Sequence, residues 1–154
     1  MQNAFKLSYK YEADKQYKEA IDALMPVYST TNYEVNLRLG WLNYLNLQHK
    51  EAMQYYQTAM KIMHYSIEAR LGYVLPAAAL EDWVKVADMY NEILTIDPNN
   101  TSVLYKLGMI YYYRPDYQKA YNCFEKVVNL YPCDYSTVLM YALANYQLGR
   151  GSDA

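Results

Sequence analysis

The 154 residues suffice for one domain with a sizeable core. Fewer than a fifth are charged and the net charge is −2, so the chain lacks the basic surface that general nucleic-acid affinity needs. Five glycines and five prolines are too few for a loop-rich all-β fold or a disordered linker. No apolar run approaches the roughly 18 residues of a membrane span, and the start from Met1 to Lys6 has no hydrophobic signal segment. The composition is that of a soluble chain, cytoplasmic or periplasmic. Its one bias is 21 tyrosines against 2 phenylalanines. Tyrosine offers apolar area with a polar tip and suits half-exposed faces.

In chain order the sequence divides into units of about 34 residues, each reading as helix, tight turn, helix, loop. The first, about 1–32, carries Lys6-Leu7-Ser8 in its first helix and Tyr17-Lys-Glu-Ala20 in its second. Pro26 falls inside that second helix, which should kink or end early. The second unit, 33–66, repeats both phrases as Arg38-Leu39-Gly40 and His49-Lys-Glu-Ala52. The third, 67–100, has Arg70-Leu71-Gly72 and Trp83-Val-Lys-Val86. There Pro76 interrupts the first helix, and Trp83 comes two residues later than the pattern asks, so a distorted or lengthened helix is expected.

Asp97-Pro98-Asn99-Asn100 breaks the chain before the fourth unit, 101–134. Its first helix has Val103, Leu104, Leu107, Ile110 and Tyr111 at helical spacing. Pro115 ends that helix and Asp116 stands where a cap is wanted. Ala120, Phe124, Val127, Val128 and Leu130 mark the second helix, closed by Tyr131-Pro132-Cys133-Asp134. Residues 135–154 supply one further first helix, with Leu139, Tyr141, Leu143, Tyr146 and Leu148, and stop where its partner would begin.

The unit from Thr101 to Asp134 resembles a tetratricopeptide repeat along its length, through Leu104, Leu107-Gly108, Tyr111, Ala120, Phe124, Val127 and Pro132. Residues 33–66 are similar through Leu39-Gly40, Ala52, Tyr56 and Ala59, with His64 where proline is usual. The resemblance covers essentially the whole chain. It implies an all-α fold, a right-handed superhelical α-solenoid of antiparallel helical hairpins, as a single solenoid over 1–154. Small residues such as Gly108 and Ala120 let the two helices of a hairpin approach, and large ones fill the space between hairpins. A solenoid needs a polar cap over its last apolar face. The terminal helix lacks one here, so further repeats or a second copy of the chain are expected to cover it.

In this family the first helices line a concave surface that receives partner peptides. The resemblance thus implies a protein-interaction scaffold with a groove built from a basic column, Lys6, Arg38, Arg70 and Lys106. Beside it lie Tyr9, Trp41, Tyr73 and Met109, then Glu12, Tyr44, Pro76 and Tyr112, with Tyr146 extending the row and Tyr105 and Tyr113 flanking it. Trp41 is the first candidate anchor. An acidic peptide or protein segment suits such a surface. Four half-exposed ion pairs at about 0.5 kcal/mol each supply only about 2 kcal/mol, whereas a micromolar complex needs about 8 kcal/mol. The aromatic wall must therefore carry most of the affinity.

Alternatively, these cations pair within the chain, with Glu12, Glu34 or Glu68. Tyr11, Tyr56, Tyr90, Tyr111 and Tyr117 fall on packing positions of the repeat. Family members that hold a terminal carboxylate do so with Lys and Asn residues. The corresponding Phe5, Tyr9, Arg38 and Ser66 or Glu68 do not reproduce that clamp.

No catalytic set, cofactor motif or metal cluster is expected. His49 and His64 lie 15 residues apart without companions, and no glycine-rich phosphate loop appears. Cys123 and Cys133 read as ordinary thiols. Two other roles compete with peptide binding. One is self-assembly through the C-terminal helix, giving a homo-oligomer. The other is RNA reading by helical repeats, which the acidic balance disfavours.

Overall fold

The structure, a computed structural model, describes residues 1–149. Arg150 to Ala154, the end of the expected half repeat, lie outside the described residues. The described residues form α-helices joined by short turns, with no strand among them. The chain divides into two compact units, Met1–Met89 and Tyr90–Ala154.

In the first unit α1 (Gln2–Ala13) pairs with α2 (Tyr17–Leu24), and α3 (Tyr33–Leu45) with α4 (His49–Ile62); α5 (Ile67–Ala79) follows and α6 (Trp83–Ile96) begins. α2 stops at Leu24, and Met25-Pro26-Val27 forms one 3-10 turn. Pro26 has no N–H to continue the ladder. The hairpin turns use a left-handed residue to reverse direction: Lys15 at φ 58°, Leu47 at 62° and Glu81 at 57°.

Three first helices start behind side-chain caps. Asn32 accepts from the Val35 N–H at 3.0 Å, and Ser66 from the Ala69 N–H at 2.9 Å. Asn100 accepts from the Val103 N–H at 3.2 Å. These bonds satisfy donors that a helix start leaves open. The helices they open, together with the last, begin at residues 33, 67, 101 and 135, a constant step of 34.

The core of the first unit gathers fully buried Ala20, Leu24, Val35, Leu39 and Leu42, with Phe5, Tyr11 and Trp41 packed around them. Each buried Leu or Val contributes about 1.5–3 kcal/mol of transfer free energy. Tyr56 on α4 is also buried. A Cβ on Gly40 would stand 2.9 Å from its ring, and one on Gly72 only 2.2 Å. The ring thus fills the space that a glycine on α3 and another on α5 leave open.

Pro76 lies inside α5, yet α5 has the same 13 residues as α3. The expected lengthening does not occur. Arg38 is the sixth residue of α3, while Arg70 is the fourth of α5. The two extra residues before Trp83 therefore reflect a phrase placed earlier in its helix, not a longer helix.

In the second unit, after the end of α6, α7 (Thr101–Tyr113) and α8 (Tyr117–Leu130) form a hairpin and α9 (Tyr135–Gln147) packs on α8. Asp116 caps α8 through the Lys119 N–H at 3.4 Å. Ala120, Phe124 and Ala144 are fully buried, with Tyr105, Met109 and Tyr111 against them. A Cβ on Gly108 would meet the Phe124 ring at 2.7 Å, the arrangement Gly40 has with Tyr56. Tyr121 and Tyr141 stack at 4.8 Å, with their hydroxyls 2.8 Å apart.

Candidate partner-binding surfaces

In the first unit α1 and α3 are joined by one polar network. The Arg38 guanidinium is 8% exposed. Its Nη1 pairs with the Glu12 carboxylate, and its Nε donates to Ser8 Oγ at 3.2 Å. Its carbon lies 3.9 Å from the centre of the Tyr9 ring, a cation–π contact. The other Glu12 oxygen accepts from Trp41 Nε1 at 2.7 Å. A desolvated guanidinium requires such partners. Of the alternatives open from sequence, Glu12 is the internal partner of Arg38. Arg38 is not a free groove cation, and Trp41 is half-buried with its N–H engaged.

The remaining candidates of this unit separate. Tyr9 is 56% exposed, and with exposed Lys6 and with Glu34 it lines a cavity of about 400 Å3 at the start of α1. Tyr44 is half-buried between Trp41 and His49, with ring centres 5.8 and 5.7 Å away. Arg70 donates to the Ser66 carbonyl of its own helix at 3.0 Å. Tyr73 is buried and offers no exposed ring. The 34-residue step explains this: Tyr73 is the seventh residue of α5, the place that Leu39 holds in α3 and Leu107 in α7. Burial also pushes the Tyr56 phenol up, with the nearby Glu68 charge adding to the effect.

In the second unit Tyr105 and Lys106 line a larger cavity of about 710 Å3. Tyr105 is half-buried with its ring 5.9 Å from Phe124, and Lys106 is exposed. Tyr112 is half-buried between Tyr113 at 5.8 Å and Tyr117 at 5.3 Å, both edge-on. Tyr113 itself is 75% exposed. Lys6, Tyr9, Arg38, Trp41 and Tyr44 thus gather on α1 and α3 of one unit, and Tyr105, Lys106 and Tyr112 on α7 of the other.

The hairpin just described, α7 with α8, is where a known family enters. Residues 101–132 match the tetratricopeptide repeat. The match covers one hairpin of the chain. No curated protein matches the chain in sequence.

Among solved structures, a MamA protein superposes with a TM-score of 0.80 at 18% identity, covering 99% of this chain and 84% of that one. A fragment of MamA from Desulfovibrio magneticus gives 0.76 at 13% identity, over 99% and 87%. A tetratricopeptide repeat protein from Parabacteroides merdae gives 0.82 at 20% identity, over 96% of this chain and 60% of that one. At such identities these likenesses establish the fold, an all-α helical-repeat solenoid.

Outside the repeat helices the chemistry is sparse. Among the described residues no three His, Cys, Asp or Glu side chains converge on a metal position. No described helix is long and apolar enough to cross a membrane. Cys123 is buried, and burial pushes its thiol up to about 11, whereas Cys133 is exposed. The sequence reading missed Ser8 as an acceptor within the network, and the walls of the 710 Å3 cavity beyond Tyr105 and Lys106. The cap series Asn32, Ser66, Asn100, Asp134 was the available signal for the register of α5.

Proposed function

We propose that this chain is a protein-interaction scaffold that holds partner peptide or protein segments on the faces of its first helices. The observation that carries this reading is the exposure of large rings on those helices in a fold whose hairpins already have their cores: Tyr9 on α1, Tyr113 on α7 and Tyr146 on α9 are exposed. Exposed aromatic area of this kind is typical of recognition surfaces. Lys6 and Lys106 stand on the same helices and favour acidic segments. Arg38, Glu12 and Trp41 take a supporting part, fixing α1 against α3 beneath Tyr9. Arg70 is kept as a positioning group at the start of α5.

The test is capture of partners on the immobilised chain, read by mass spectrometry, against the Tyr9→Ala, Tyr113→Ala double variant. Proteins retained by the natural chain should fall at least about tenfold on the variant, a loss of about 1.4 kcal/mol or more. Equal retention on both would remove the first-helix faces from the interaction.

A second reading is supported by α9, on which Leu139, Leu143 and Tyr146 are exposed. An apolar helix face of this sort suits self-association. Sedimentation at rising concentration tests it, and a chain that stays monomeric throughout sinks it.

A further inference from the structure

The larger cavity belongs entirely to the second unit, and its walls differ in chemistry. One side is carbon: Tyr105, Val127, Leu130 and Pro132. The other is polar, formed by the first turns of α7 and α9 and, further along α7, by Lys106. Its volume of about 710 Å3 is in the size range of ligand-binding clefts.

Two charges face this space, and they are not in the same state. The Asp134 carboxylate accepts from the Thr137 hydroxyl and sits at the start of α9, where the helix dipole favours an anion. The exposed Lys106 ammonium has no ion pair among the described residues. A ligand carboxylate therefore gains an unused cation at Lys106.

We infer that this cavity takes one apolar side chain of a partner peptide together with a neighbouring carboxylate, the side chain against the Tyr105–Leu130 wall and the acid on Lys106. This rests on the partner-segment reading above and adds a sequence preference to it. The Ser102 and Ser136 hydroxyls, also on the wall, are placed to bond the peptide main chain.

Cys133 provides a built-in reporter, because it lines the cavity and is exposed while Cys123 is buried. The probe is a random octapeptide library panned on the full chain. Enriched octapeptides are then added during alkylation by iodoacetamide, and Cys133 labelling is followed by mass spectrometry.

Enriched octapeptides should carry Asp or Glu within two residues of Leu, Ile, Met or Phe. They should slow Cys133 alkylation about threefold or more by covering the thiol, and bind Lys106→Glu about tenfold more weakly. Panning on Lys106→Met should keep the apolar preference and lose the acidic one. Enrichment without acids, or a Cys133 rate unchanged at saturating octapeptide, overturns the inference. If octapeptides bind and lose affinity on Tyr9→Ala yet leave Cys133 untouched, the cavity assignment fails while the scaffold reading stands. A library that enriches nothing fails both.

Discussion

The indole N–H of Trp41 donates to the carboxylate of Glu12 at 2.7 Å, and that same carboxylate holds Arg38. One acid on α1 thus fixes two residues of α3. Glu12→Ala would leave a guanidinium that is 8% exposed without its anion. A broken buried pair costs about 3–5 kcal/mol; since Glu12 is 23% exposed, the lower end applies, about 3 kcal/mol. Glu12→Gln keeps an acceptor for the indole and should cost about 1–2 kcal/mol. Urea unfolding followed by tryptophan fluorescence measures both. A Glu12→Ala chain as stable as the natural one would show that the network adds nothing.

The glycines facing Tyr56 and Phe124 should rank by the room they leave. Alanine in place of a helical glycine gains about 1 kcal/mol in propensity, while overpacking costs about 1–3 kcal/mol. With its contact at 2.2 Å, Gly72→Ala should be clearly destabilising. Gly108→Ala, at 2.7 Å, should lose less, and Gly40→Ala, at 2.9 Å, should come close to neutral. Guanidinium midpoints give the order. Tyr56→Leu should relieve Gly72→Ala, and a double variant that shows no such relief would contradict the packing.

Leu47 spends a left-handed backbone conformation on an exposed side chain, at φ 62°. Left-handed geometry costs an ordinary residue about 1–2 kcal/mol, and glycine escapes it. Part of that gain is lost to the greater freedom of glycine in the unfolded chain. Leu47→Gly should therefore stabilise by about 0.5–1 kcal/mol, raising Tm by about 1–4 °C. A lower Tm would mean that the Leu47 side chain packs in a way its exposure conceals.

Alkaline pH should destabilise the fold. The buried Cys123 thiol keeps its proton to about pH 11, whereas the unfolded chain gives it up near its ordinary value of 9.0. The folded state then holds more protons, so stability falls as pH rises from about 9 to about 11. The raised phenols of Tyr56 and Tyr90 steepen the decline above their ordinary value of 10.0. Urea unfolding at several pH values should show this slope, shallower in Cys123→Ala. A flat profile would contradict the burial. Iodoacetamide at pH 8 should label Cys133 well before Cys123.

Repetition made the fold legible, because the Leu-small and aromatic-x-x-Ala phrases recur in step with hairpins whose helices need close approach at Gly40 and Gly108. The same phrases misled at α5. Arg70-Leu71-Gly72 copies Arg38-Leu39-Gly40 in letters, but Ser66 caps the helix so that Gly72 faces Tyr56 two residues earlier in its helix. The shift puts Tyr73, read as a groove ring, into the core. Sequence placed Glu12 among possible partners of the basic column, yet could not choose it over Glu34 or Glu68. That choice depends on how two helices pack, which local pattern does not encode. Tyr9 and Tyr113, by contrast, are exposed on α1 and α7.

Recognition by those first-helix faces is tested most directly by the affinity of one captured partner, measured by calorimetry on three chains: natural, Tyr9→Ala with Tyr113→Ala, and Tyr65→Ala. Tyr65 is as exposed as Tyr113 but lies in the turn between α4 and α5. The expected result is a Kd at least about tenfold weaker for the first-helix variant and unchanged for Tyr65→Ala. Equal affinity of all three chains, or a loss confined to Tyr65→Ala, would contradict it.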